Sequence, residues 1–134
     1  MITFPKGILG FGEFRRFCLL EPAEDSAFFW LQSLDDPTLA FVVTDPSFFV
    51  PDYSVPVRQE QMGDLGLAHL EDAQVFVIVN KTDQTLTGNL QGPLVINTVT
   101  RVGEQLVLAE KRWQIRHTLV SVGKPAAASR AMSA

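Results

Sequence analysis

Apolar residues in this chain come in short runs cut by Pro, Gly, Asp and Asn. FRRFCLL (14–20), AFFWLQS (27–33), LAFVV (39–43), QVFVIVN (74–80), PLVIN (93–97), EQLVLAE (104–110) and RWQIRHT (112–118) are each rich in Val, Phe, Ile or Leu. Runs of this length and composition, bounded by turn formers, predict strands. QVFVIVN is apolar at five consecutive positions, which predicts a central strand covered on both faces. RWQIRHT alternates, with Trp113, Ile115 and His117 on one side and Arg112, Gln114 and Arg116 on the other. That is the pattern of a half-exposed strand. Phe28, Phe29 and Trp30 also alternate across a strand, and most of that trio is assigned to the core.

RQEQMGDLGLAHLED (58–72) breaks the rhythm. Met62, Leu65 and Leu70 are apolar anchors at helix-like spacing, so 58–65 is predicted as a short helix ended by Gly66 in the left-handed conformation. Gly63 weakens that helix by about 1 kcal/mol relative to Ala. GILGFG (7–12) is expected as a Gly-bent connection, because nothing helical follows it to offer an anion its N-terminus. PSFFVPDYSVP (46–56) is too punctuated by Pro for a central strand. Its side chains are expected partly to cover a barrel end and partly to form an apolar patch. The fold class is therefore all-β: a small sandwich or partly closed, mostly antiparallel barrel, with one short helix near 58–65. Residues 1–120 are expected as a single domain, and 121–134, small, polar and aperiodic, as a disordered tail.

Composition narrows the function. The chain has 134 residues, 46% apolar and 19% charged, with ten Phe, two Trp and one Tyr, which suits one domain with a real core. The single cysteine, Cys18, excludes an internal disulfide and lies among apolar neighbours, so it is expected as a small hydrophobe. The first residues hold no apolar stretch of signal-peptide length, and no run approaches a membrane span, so a cytoplasmic location is expected. Net charge is −4, and leaving out Lys124 and Arg130 of the tail takes it to −6. A nucleic-acid binder needs a positive footprint, which this chain lacks. A basic protein partner fits its charge better.

The chemistry-bearing residues do not form a catalytic constellation. Asp35 and Asp36 lie in DDP, Asp45 in TDP and Asp52 in VPD. Asp before Pro is first of all turn chemistry, and a Ca²⁺ site would need more converging oxygens. His69 and His117 lack the companions a zinc site requires. Ser26, Ser33, Ser47 and Ser54 lack a strained nucleophile elbow. No enzyme activity, metal or cofactor is expected. What remains is Phe48, Phe49, Val50, Tyr53 and Val55 between Asp45 and Asp52, an apolar patch with an acidic edge of the kind that binds proteins.

FFWLQSLDDPTLAFVVTDP (28–46) resembles the signature of the FliW family of bacterial flagellar assembly factors. ITFPKGILGFGEFRRFCLLEP (2–22) is similar to the family's opening segment, and PDYSV (51–55) and LGL (65–67) to its middle. NLQGPLVIN (89–97), VGEQLVL (102–108) and RWQIRH (112–117) resemble its C-terminal half, with Trp113 where Tyr is expected. The resemblance implies an adaptor without enzyme activity, which binds flagellin and CsrA. CsrA is a small RNA-binding repressor of flagellin translation. Free adaptor captures CsrA, and accumulated flagellin releases it. Direct nucleic-acid or membrane binding is not implied.

On that reading, Asp35, Asp36, Asp45 and Asp52 are expected as one acidic rim, with Phe48, Phe49 and Tyr53 as apolar anchors. Glu71 and Asp72 are expected as a second acidic spot, and Asn97 as a weaker contact, since Asn at a strand end also makes turns. The alternatives are a small β-barrel that binds a ligand or flavin, which needs a pocket with converging polar groups, and an oligonucleotide-binding barrel, which the charge disfavours.

Overall fold

The computed structural model describes residues 1–24, 26–110 and 112–121. Its strands are β1 (Ile2–Thr3), β2 (Arg16–Leu20), β3 (Phe28–Ser33), β4 (Ala40–Thr44), β5 (Ala73–Thr82), β6 (Thr85–Gly88), β7 (Leu94–Asn97), β8 (Val102–Gln105) and β9 (His117–Ser121). They form one sheet in the order β4-β3-β2-β1-β8-β7-β5-β6-β9, and β4 also pairs with β5. That last pairing joins Val42 to Val79, Val43 to Ile78 and Thr44 to Val77. It closes β4-β3-β2-β1-β8-β7-β5 into a ring, with β6 and β9 extending from the far half of β5. The described pairings are antiparallel except β1 with β8, which meet at Thr3 and Val102. Of the two all-β architectures expected, a small sandwich or a partly closed, mostly antiparallel barrel, the fold is the barrel, its ring closed by β4 with β5.

Side-chain alternation sorts the apolar residues into two cores. Inside the ring pack Phe4, Phe17, Leu31, Val43, Phe76, Leu94 and Ile96, with Phe29, Phe41 and Ile78 against them. Outside it, Val77 and Val95 pack with Val50, Leu65, Leu67, Leu90, Leu106, Leu108 and Trp113. β5 therefore places Phe76 and Ile78 in one core and Val75 and Val77 in the other, as five consecutive apolar positions require. Gly103 on β8 lets the Phe4 ring in, since a Cβ there would lie 2.7 Å from that ring.

The helix α1 spans Gln59–Leu65, and Gly66 ends it at φ 68°, ψ 26°. The Leu67 N–H reaches back to the Met62 carbonyl at 2.8 Å, so the glycine does the work expected of it. Met62 and Leu65 face the outer core, but Leu70 is exposed, because it sits in a separate 3₁₀ turn, Leu70–Asp72.

Three expectations change. RWQIRHT is mostly turn, and the strand begins only at His117. Trp113 is 5% exposed and Ile115 59%, so the alternation there does not define a sheet face. The indole instead stands edge-on to the Tyr53 ring at 4.8 Å, with the Arg112 guanidinium 4.2 Å from its centre. EQLVLAE leaves the sheet after Gln105, although the Leu106 and Leu108 N–H groups still bond the Pro93 and Gln91 carbonyls. The 46–56 segment covers the side of the barrel over β5 and β7, not its end. Within the segment expected as a tail, only Ser121 is described, as the last residue of β9; 122–134 lie outside the described residues.

Phe76 is buried between the Phe29 ring and the rest of the barrel core. Phe76→Ala is expected to lower unfolding free energy by about 3–5 kcal/mol in urea titration; a loss under about 1 kcal/mol would mean that β5 does not hold the interior together.

Candidate functional site

The Asp-Pro turns are locally self-sufficient. The Asp36 carboxylate accepts from the Thr38 N–H at 2.9 Å and the Thr38 hydroxyl at 2.7 Å. Asp45 repeats the device, accepting from the Ser47 N–H at 2.9 Å and the Ser47 hydroxyl at 2.8 Å, and caps the 3₁₀ turn Pro46–Phe48. Asp35 pairs with Arg16, whose Nε lies 3.0 Å from its Oδ1. The Arg16 hydrogen bond holds the Asp35 carboxyl below the ordinary 3.8. The Thr38 hydroxyl and N–H do the same for Asp36. Side-chain oxygens that cap the next turn are the expected role of Asp before Pro.

Register separates these acids. Gln32 pairs with Ala40 beside the 34–39 turn, and Phe28 pairs with Thr44 at the other end of the hairpin. Asp35 and Asp36 thus lie roughly 13 Å of strand from Asp45, at about 3.3 Å per residue, and the four aspartates do not form one rim. Asp45 instead shares its end of the barrel with Glu71 and Asp72, which precede β5. Gln74 of β5 donates from Nε2 to Asp45 Oδ2 at 3.1 Å. Asp45, Ser47, Tyr53, Val55 and Gln74 line a groove of about 280 Å³ there.

The apolar anchors divide in the same way. Phe48 is 62% exposed. Phe49 stacks on Phe28 at 5.8 Å. Tyr53 is half-buried, its hydroxyl donating to the Leu90 carbonyl, and burial pushes its phenol well above the ordinary 10. Asp52 is exposed and 3.8 Å from Arg112. Asn97 is 2% exposed. Its Nδ2 donates to the Leu65 carbonyl at 2.9 Å, and its Oδ1 accepts from the Val99 and Thr100 N–H groups. It joins the end of α1 to the turn between β7 and β8, so its polar atoms are occupied inside the fold.

Two exposed residues outside the expected set join this surface. Leu31 faces the barrel interior, so Phe28 and Trp30 point outward, and only Phe29 of the trio is in the core. Trp30 is 45% exposed, beside its cross-strand neighbour Leu20 at 46%. The period-2 rule carries this signal once Leu31 is known to be inside. At the barrel end near Asp72, Ile2, Leu19, Phe76 and Ile96 floor a cavity of about 550 Å³ edged by Gln74, Thr98 and Arg101. Among the described residues no group of three or more His, Cys, Asp or Glu is placed to hold a metal ion, and no helix is long and apolar enough to cross a membrane.

Two outcomes follow from this geometry. Asn97→Ala leaves the Leu65 carbonyl without its partner and is expected to cost about 1–3 kcal/mol in urea titration. Carboxyls held below 3.8 contribute stability above that pH and lose it as pH falls through their folded values. Melting temperature should therefore drop below about pH 4, and Asp35→Asn with Asp36→Asn should flatten that acid limb. An unchanged limb would show that the turns are not electrostatically coupled to folding.

The family model described as FliW protein matches residues 1–119. The flagellar assembly factor FliW of Leptospira interrogans is 33% identical over 123 residues, covering 90% of this chain and 82% of that one. That of Treponema denticola is 37% identical, covering 90% and 83%. A crystal structure of the flagellar assembly factor FliW superposes with a TM-score of 0.81 at 34% identity, covering 89% of this chain and 84% of that chain. With matching sequence and fold throughout the barrel and the segment that caps its side, this chain belongs to the FliW family of flagellar assembly factors.

Proposed function

We propose that this protein is a cytoplasmic partner-switch adaptor, binding both flagellin and the translational repressor CsrA and keeping CsrA from flagellin mRNA. The observation that carries the reading is the family match over residues 1–119, on a chain whose exposed features are apolar side chains next to carboxylates. Phe48 and Phe49 supply apolar area, and Asp45, Asp52, Glu71 and Asp72 supply charge. Tyr53 acts mainly by holding the 46–56 segment against the barrel, while Asn97, Asp35 and Asp36 hold turns elsewhere in the fold. Complementary potentials speed encounter with a basic, RNA-binding protein and reject nucleic acid itself. Flagellin's terminal segments, amphipathic and disordered before assembly, suit an apolar surface with polar edges. Mutual exclusion requires overlapping sites or negative coupling between sites, for which about 1–3 kcal/mol is typical.

The cavity of about 550 Å³ with Arg101 at its edge favours a second reading, a small-ligand module. Native mass spectrometry of the purified protein separates the two: a stoichiometric added mass supports the module.

Calorimetric titration with CsrA from the same organism, with and without saturating flagellin, tests the adaptor. The expected result is micromolar or tighter binding that flagellin abolishes. Heat with flagellin alone would reduce the function to an export chaperone, and silence with both would remove the reading.

A further inference from the structure

We propose that the outer face of β2, β3 and β4 is the seat of the basic partner, a surface centred on Trp30; this inference rests on the adaptor reading above. Leu20, Trp30 and Val42 stand directly across neighbouring strands and point away from the interior that holds Leu19, Leu31 and Val43. Side chains paired in this way lie about 5 Å apart and make one continuous row. The next row holds Phe28 with Phe49 stacked on it, and Phe48, the residue before Phe49, is exposed. An exposed Trp beside Leu and Phe is the composition of an interface centre, where aromatic side chains carry most of the binding energy.

Charge chooses the occupant. Glu21 and Glu24 are exposed just past Leu20 on β2. Arg16, on this face at the far end, is already paired with Asp35. An apolar strip edged by carboxylates fits a polypeptide that presents apolar side chains between Lys and Arg. A second copy of this chain would bring Glu21 and Glu24 against their own kind, and RNA or an anionic membrane would meet the same repulsion.

Trp30 is also the reporter. The chain has two tryptophans, and Trp113 is buried, so CsrA binding should shift Trp30 emission to the blue as the indole leaves water. Trp113→Phe isolates that signal. Leu20→Glu, at an exposed position, tests the surface calorimetrically without touching either tryptophan. The expected result is a saturable blue shift, and at least about tenfold weaker CsrA binding by Leu20→Glu at unchanged melting temperature. Equal binding by the wild-type chain and Leu20→Glu, with Trp30 emission unmoved, would place the partner elsewhere and leave the adaptor reading intact. Absence of CsrA binding by the wild-type chain would overturn both. A blue shift that grows with protein concentration alone would assign the face to self-association and overturn the partner proposed here.

Discussion

The structure depends on β5 being buried on both faces. One strand closes the ring through β4, carries β7 on its other edge, and leads the hairpin into β6. Its side chains alternate between the barrel interior and the outer core, so neither core can form without it. A strand wet on one face could close the ring equally well. The second apolar face, Val75 and Val77 with Val95 of β7 beside them, obliges the 46–67 segment to lie against the barrel. Burial of that face is thus what places the surface segment, and with it the acidic and aromatic side chains.

How the segment is held decides which of those side chains are available to a partner. Tyr53 is fixed twice, by its hydroxyl on Leu90 and by the Trp113 edge, and Val50 is buried beneath it. Asp45 caps its own turn and receives Gln74 from β5. Phe48 has no such tether and stands in solvent. Apolar area left in water at a rigidly held turn is the arrangement that binding favours, since little ordering cost remains to be met on association. The aspartate of each Asp-Pro turn supplies the rigidity, through hydrogen bonds inside its own turn.

Much of the fold was legible in the chain. The runs around Phe17, Leu31, Val43, Phe76 and Leu94 are strands because β-branched and aromatic residues between turn formers have few other options. The Gly66 stop was legible because few other residues adopt its conformation easily. The misreadings share one cause. RWQIRHT alternates like a strand, yet Trp113 was claimed by Tyr53 and Arg112, partners far away and next door that no local pattern reveals. β1 and β6 are too short to announce themselves and exist through pairing with β2 and β5.

For the candidate site, the chain by itself determined the chemistry: acidic turns and aromatic residues between them. It also determined the family, because the aromatic and Asp-Pro stretch is specific. Only the tertiary structure decided which of these groups share a surface. Asp35 and Asp36 were separated from Asp45 by the length of a hairpin, Asn97 was taken inside, and Trp30 was turned outward beside Leu20. The physical reason is that a turn is a local event, set by a few neighbouring residues. A surface is made by strand register and closure, which join residues that the sequence keeps far apart.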